Sequence, residues 1–241
     1  MSSNSFQSHC RPAKGLTIVM FGQIGVGKST TGNTVLGRPA FWSCVSSKAV
    51  TRMCQMESAA RDGENLTVVD TPGLGDARSQ AEVMREVQRC LLRAPGGPVV
   101  FLVVVQSGRF TQDEQRTVRW IQSAFGPQAA HYTMALFTRA DDLRAEGRSV
   151  DQVIGADPAM QDFIRECCGG YHVLDNRDSD PSQVVELLQK INSLVQRNGG
   201  NDGARFLREE SPGGNALRDV VLTGCFITAL TALLVALSKF K

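Results

Sequence analysis

An α/β fold, a doubly wound and mostly parallel sheet with helices on both faces, is predicted by three observations. Strand-length apolar runs recur along the chain, segments of helical period lie between several of them, and the first run opens onto a glycine-rich loop at the head of a helix. The runs are Leu16–Phe21, Leu66–Val69, Pro98–Val105, Tyr132–Phe137 and Tyr171–Leu174, with Met53–Glu57 as a weaker edge strand. The helical segments are Thr30–Leu36, Ala81–Leu92, Asp113–Phe125, Gln161–Cys168 and Ser182–Val195. In an open sheet of this kind the ligand sits at the carboxyl ends of the strands.

The first strand leads into GQIGVGKST, Gly22 to Thr30. It satisfies G-x-x-x-x-G-K-[ST] at Gly22, Gly27, Lys28 and Ser29, between a strand and a helix as the motif requires. Glycines allow the backbone to wrap a polyphosphate closely, at a helix N-terminus that favours anions. Gly22, Gln23, Ile24, Gly25, Val26, Gly27, Lys28, Ser29 and Thr30 are therefore expected to line the phosphates. Lys28 would reach the β- and γ-phosphates, and the Ser29 hydroxyl would hold Mg²⁺. The fold expectation becomes a P-loop NTPase.

Asp70-Thr71-Pro72-Gly73 ends the strand Leu66–Val69. A D-x-x-G there puts a carboxylate, Asp70, near Mg²⁺ and an N–H, that of Gly73, near the γ-phosphate, where it can move when that phosphate leaves. The next residue is Leu74, where Ras-like enzymes place a water-orienting glutamine. After the strand Tyr132–Phe137 comes Thr138-Arg139-Ala140-Asp141-Asp142-Leu143, a degenerate [NT]-K-x-D. One carboxylate accepting guanine N1–H and N2–H₂ together separates GTP from ATP. Two registers are open, one using Asp141 and one using Asp142; the D-L ending favours Asp142. Such a domain is a G domain, with GTP or GDP and Mg²⁺ as its ligands.

Composition bounds the remainder. The 241 residues give room for one such domain and short extras, with a formal charge of +2 that argues against a nucleic-acid partner. Seven scattered cysteines without paired C-x-x-C spacing favour reduced thiols over a disulfide framework or a zinc site. Residues 1–13 read as a polar tail without a signal-peptide core, and 14–197 as the nucleotide domain. Residues 198–217, rich in Gly and charge, read as a flexible linker, and 218–241 as a membrane anchor. Val220–Ser238 holds nineteen uncharged residues, roughly 28 Å as a helix against a ~30 Å hydrocarbon core. The lipid bilayer is thus an expected partner through residues 220–238. The nucleotide domain would lie on the cytosolic face of an intracellular membrane: ER, mitochondrial outer membrane or endolysosome.

The boxes extend past the generic motifs. GNTVLGRPAF at Gly32–Phe41, Ala49-Val50-Thr51 with Cys54, GRFTQDE at Gly108–Glu114, FTRADDL at Phe137–Leu143 and LDNR at Leu174–Arg177 stand in order along roughly Gly15 to Val195. Together they resemble the GTPases of immunity-associated proteins, the GIMAP or IAN group. The resemblance implies that Thr51 is the switch threonine closing on Mg²⁺, that Ser43 lies near the nucleotide, and that Asn176 and Arg139 adjoin the guanine. It implies GTP-dependent face-to-face association with itself or with other family members. In some members an arginine of the GRFT box acts across that interface. Arg109 is the candidate here, beside Lys28 and Thr51 as catalytic residues, and a partner's cation would suit a site where Leu74 offers no amide. Ala140 departs from the lysine usual in that motif, which puts nucleotide affinity in doubt. The expected activity is slow GTP hydrolysis, or nucleotide-gated assembly with negligible turnover.

Overall fold

The computed structural model describes residues 15–43, 51, 53–61, 63–74, 80–200 and 206. Six strands form one sheet: β1 (Thr17–Phe21), β2 (Gln55–Arg61), β3 (Glu64–Asp70), β4 (Val99–Gln106), β5 (Thr133–Thr138) and β6 (Tyr171–Val173). Their spatial order is β2-β3-β1-β4-β5-β6. Every pairing is parallel except β2 with β3, a hairpin that places β2 antiparallel at the edge. The helices are α1 (Lys28–Leu36), α2 (Gln80–Arg93), α3 (Gln112–Phe125), α4 (Ala140–Ala145), α5 (Val150–Ala156), α6 (Pro158–Glu166) and α7 (Ser182–Arg197), with a 3₁₀ turn at Pro127–Tyr132.

Alternation along the strands assigns the two faces. Ile18, Met20, Leu102 and Leu136 join one core with Val35 of α1 and Leu187, Leu188 and Ile191 of α7. Val19, Phe21, Phe101, Val103 and Phe137 join the other with Val87 of α2, Ile121 of α3 and Phe163 of α6. A strand covered on both faces has no polar side, which is why β4 reads as an unbroken apolar run and is buried from Val99 to Val105. β2 has only one covered neighbour and alternates half-buried with exposed residues, which explains its weak signal in the sequence.

The six expected strands and five expected helices are all present, with boundaries displaced by at most four residues. The short helices α4 and α5 and the 3₁₀ turn lie in stretches where no periodic pattern longer than two turns can develop. Among the described residues no helix is long and apolar enough to cross a membrane. The run 220–238 lies outside them. Within the stretch 198–217, expected to be a flexible linker, Phe206 is buried among Phe101, Phe125 and Tyr132.

Candidate nucleotide site

The carboxyl ends of β1, β3, β4, β5 and β6 each run into one of the sequence boxes, so topology alone brings the boxes to one edge of the sheet. β1 ends at Phe21 and the chain turns into the phosphate loop. A Cβ on Gly22 would lie 2.4 Å from the Val104 carbonyl oxygen, so the loop leaves the sheet through a gap that only glycine fits. α1 begins at Lys28, capped by Gly27 in the left-handed region at φ 97°. The Lys28 ammonium folds back over the loop and donates to the carbonyl oxygens of Gly22 (3.0 Å) and Gln23 (2.8 Å).

Three side chains from three separate elements meet beside it. The Ser29 hydroxyl donates to Asp70 Oδ2 at 2.6 Å, and the Thr51 hydroxyl donates to the same oxygen at 3.2 Å. The two hydroxyls are themselves 3.2 Å apart. Asp70 is fully buried and its other oxygen, Oδ1, has no hydrogen-bond partner among the described residues. A buried carboxylate oxygen left without a donor is costly unless a cation completes it, so this oxygen-only cluster of one carboxylate and two hydroxyls suits Mg²⁺. Burial raises the Asp70 carboxyl above the usual range, opposed by the Ser29 hydrogen bond, the Lys28 charge and the Thr51 hydrogen bond. Burial also depresses the Lys28 ammonium to about 8, while Asp70 pulls the other way.

The D-x-x-G segment is pressed onto the phosphate loop. A Cβ on Gly73 would sit 2.3 Å from the Ile24 side chain and 2.9 Å from its backbone nitrogen, so no other residue allows the approach. Thr71 donates to the Met20 carbonyl at 2.7 Å, tying the end of β3 to β1. Leu74 is buried, and its N–H donates to the Gly22 carbonyl at 3.1 Å. An apolar side chain packed there cannot orient water through an amide.

At the base end, Thr138 closes β5 and its hydroxyl donates to the Val26 carbonyl at 2.7 Å, joining this box to the phosphate loop. Arg139 follows with φ 56°, the one described non-glycine residue in the left-handed region, and caps α4. Asp141 and Asp142 then fall on the first turn of α4. Their environments differ: the Asp141 side chain is 23% exposed with Oδ1 buried and unpartnered among the described residues, whereas that of Asp142 is 49% exposed. The D-L ending favoured Asp142, but the geometry singles out Asp141 as the enclosed carboxylate. Leu143 is buried as an ordinary core residue of α4 and marks no register. Ala140, where the family usually has lysine, is buried in the same core.

Asn176, the third residue of the LDNR box, sits between the two ends of the site. Its amide donates to the Thr31 hydroxyl at 3.1 Å and its carbonyl accepts from the Thr34 hydroxyl at 2.9 Å, both on α1. The GN…F box also gains a structural reason. Asn33 Oδ1 accepts from the backbone N–H groups of Ala40 (2.8 Å) and Phe41 (2.7 Å), while its amide donates to the Phe41 carbonyl at 2.9 Å. That clamp fixes the chain entering the first switch. Ser43, two residues on, is exposed and meets none of the groups above among the described residues.

Arg109 lies on the loop between β4 and α3, exposed and without an ion pair among the described residues. Its backbone N–H donates to the Gln106 carbonyl at 2.9 Å. A capping box opens α3: the Thr111 N–H donates to Glu114 Oε2 at 2.8 Å, and the Thr111 hydroxyl donates to the same oxygen at 2.6 Å. Phe110 packs on Phe163 of α6 at 5.3 Å between ring centroids. Arg109 is thus presented outward from a braced loop on the nucleotide edge of the sheet.

The Thr138–Val26 contact and the Asn176 bridge were not legible in the sequence, since both join residues more than 100 positions apart. Comparison with known proteins agrees with the assembled site. Residues 16–211 match the profile described as the AIG1 family. Immune-associated nucleotide-binding protein 13 of Arabidopsis thaliana is 35% identical over 202 residues, covering 80% of this chain and 60% of that protein. GTPase IMAP family member 8 of Homo sapiens is 33% identical over 201 residues, covering 81% of this chain and 30% of that protein. The chain therefore spans only part of its relatives, about 30–60% of the length of these two. Among solved structures, Toc33 of Arabidopsis thaliana in complex with Mg²⁺ and GMPPNP superposes with a TM-score of 0.60 at 18% identity, covering 76% of this chain and 86% of that one. A structure of the chloroplast translocon components atToc33 and psToc159, for which dimerization is important for GTPase activity, gives 0.60 at 21% identity, covering 75% and 83%. At that identity the likeness establishes the G-domain fold. From the family match and its immune-associated and IMAP relatives, the chain belongs to the AIG1 family, the GIMAP/IAN group of immunity-associated nucleotide-binding proteins.

Proposed function

We propose that this protein is a guanine-nucleotide switch that binds GTP or GDP with Mg²⁺, associates with a second copy in its GTP form, and hydrolyses GTP slowly. The observation that carries the reading is the convergence of Ser29 and Thr51 on the buried carboxylate of Asp70, beside the desolvated Lys28 ammonium. Ser29, Thr51 and Asp70 would hold Mg²⁺, which when bound neutralises phosphate charge. Lys28 would exchange its two carbonyl partners for phosphate oxygens, a stronger acceptor for a buried cation. Thr51 would couple the first switch to the γ-phosphate, and Gly73, held against Ile24, would couple the second.

Asp141 is the carboxylate proposed to read guanine. The Thr138–Val26 hydrogen bond, which sets β5 against the phosphate loop, and the enclosure of Asp141 support it. Asp141→Asn is expected to exchange guanine for xanthine preference, because the amide presents a donor where xanthine has a carbonyl. Retained preference for GDP over xanthosine diphosphate would remove Asp141 from the base pocket.

Arg109 is proposed to act on the nucleotide of a partner copy, since it stands exposed at the nucleotide edge. Such an arginine contributes about 10³–10⁵ in rate where it operates. Single-turnover hydrolysis by the full chain, followed across protein concentration, tests this. A rate that climbs with concentration in the native chain and collapses in Arg109→Ala is expected. The buried Leu74 favours a second reading, a GTP-loaded scaffold with negligible turnover, and a flat rate with GTP bound would select it. Residues 220–238 are proposed to hold the protein on an intracellular membrane. Deleting 220–241 should release it from the membrane fraction of cells.

A further inference from the structure

Two ion pairs running in opposite directions tie the loops at the base end together. Arg144, on α4, reaches Asp175 in the loop after β6 at 2.5 Å. Arg177, from that same loop, reaches back to α4, contacting Asp141 Oδ2 and lying 3.3 Å from Asp142 Oδ1 through the same guanidinium nitrogen. The loop that carries Arg177 is fixed independently of this contact. The Arg177 N–H donates to Asp175 Oδ1 at 3.0 Å, and the Asp175 N–H donates to Gln183 Oε1 at 2.8 Å. Gln183 in turn donates to the carbonyls of Asp175 (2.9 Å) and Asp178 (3.0 Å). Arg177 is therefore a cation delivered by a preformed loop to a pair of adjacent carboxylates.

A carboxylate reads guanine only if both its oxygens face N1–H and N2–H₂ in one plane. Two neighbouring carboxylates without a cation repel, and the more exposed of them is free to turn. Each carboxylate oxygen has two lone pairs, so a donor on Oδ2 leaves capacity for the base. Resting on the reading that Asp141 recognises guanine, we propose that Arg177 is a positioning residue for base recognition, which fixes the plane of the Asp141 carboxylate and uses Asp142 as its second anchor. This assigns separate roles to the doubled acid: Asp141 meets the base and Asp142 holds the arginine. The arginine that closes the LDNR box then contributes to base recognition through a carboxylate rather than through the nucleotide.

The test is nucleotide binding by the full chain with Arg177→Gln, Arg177→Lys, Asp142→Asn and the Arg177→Gln/Asp142→Asn pair, using GDP, inosine diphosphate and inorganic pyrophosphate as probes. Inosine lacks the 2-amino group, so the ratio of GDP to inosine diphosphate affinity reports how well the carboxylate is aimed. Arg177→Gln should weaken GDP about fivefold, the scale of exposed charge pairs, narrow the GDP-to-inosine ratio, and leave pyrophosphate unchanged. Arg177→Lys should recover part of the loss. Asp142→Asn should cost about twofold alone and nothing further in the Arg177→Gln background. GDP affinity unchanged or raised in Arg177→Gln would overturn the proposal, as would equal losses for GDP and inosine diphosphate. Asp141→Asn, measured in parallel with xanthosine diphosphate, separates the two layers. If that variant changes base preference while Arg177→Gln does nothing, only the positioning role falls; if it does not, the base reading falls and takes the positioning role with it.

Discussion

The phosphate end and the base end of this site are built from opposite materials. At the phosphate end Lys28 and Asp70 are buried, and the groups that contact them are neutral hydroxyls and carbonyls. At the base end the cations Arg144 and Arg177 are more than half exposed, and they pair with the carboxylates of Asp175, Asp141 and Asp142. Burial makes each charge at the first end expensive to leave unpaired and strong when paired with a ligand. Exposure makes each pair at the second end weak and sensitive to salt. The first end should therefore decide whether a nucleotide binds, and the second which base it carries.

The largest effect is expected from Lys28→Ala. Its ammonium would make charge-assisted hydrogen bonds to two phosphates, so about a hundredfold or more of GDP affinity should disappear, read by titration of a fluorescent GDP analogue. Far-ultraviolet circular dichroism should be unchanged. Binding within a few fold of the native value would remove Lys28 from the phosphate site.

A smaller effect of the same origin follows from pH. Burial holds the Lys28 ammonium near 8, below the usual 10.5. Binding phosphate requires the charged form, so affinity must fall as pH rises through 8. Measured without Mg²⁺ and below the pH at which guanine N1 loses its proton, the GDP dissociation constant should rise about fourfold between pH 7 and 8.5. Folding stability responds with the opposite sign. The unfolded chain keeps this proton longer, so the cost of burying the charge is present below about 8 and relieved between about 8 and 10.5. Asp70 supports the charged form, so Asp70→Asn should move the fall in affinity to lower pH. A change at Arg177 should cost the same factor at both pH values. A flat profile in the native chain would break the contrast between the two ends.

Asn176→Ala sharpens the boundary between them. Its two hydrogen bonds to Thr31 and Thr34 carry no net charge, yet they join the base loop to the phosphate helix. Losing them should weaken GDP about threefold to tenfold, and equally in 50 mM and about 500 mM salt. The Arg177→Gln loss should shrink over the same range. If both losses respond to salt alike, the base loop is held by long-range charge rather than by contact.

How legible these ends were in the sequence follows the same division. The phosphate end lies within a motif nine residues long and a tetrapeptide that ends a strand, so spacing alone named Lys28, Ser29 and Asp70. At the base end the sequence offered two aspartates and chose between them by the following leucine, which the fold uses only as a core residue. The contact from Thr138 to the Val26 carbonyl, which supports the proposal for Asp141, spans 112 positions and has no local pattern. Arg144 and Arg177 look in sequence like any exposed arginine. Their meaning comes from the parallel order that lays β5 beside β6.

The smallest effect on nucleotide is expected from Phe206→Ala, and it is the control for the whole contrast. Phe206 stands 5.2 Å from Phe101, 5.7 Å from Tyr132 and 6.3 Å from Phe125 between ring centroids. Phe101 lies near the amino end of β4 and Tyr132 just before β5, so this cage sits at the pole of the sheet opposite the carboxyl ends that carry the boxes. The Tyr132 hydroxyl donates to the Asn198 carbonyl at 2.7 Å, which secures the chain where it leaves α7. Truncating a buried phenylalanine removes its transfer energy and leaves a cavity, so about 3 kcal/mol of folding stability should be lost. GDP affinity, measured well below the new melting temperature, should stay within about twofold. A large loss of affinity would mean that the packing at this pole is coupled through β4 to the phosphate loop at Gly22. An unchanged stability would mean that the ring contributes little to the core. The expected outcome, destabilised but fully competent to bind, would show that the energy holding the fold and the energy holding the nucleotide are stored at opposite ends of the same strands.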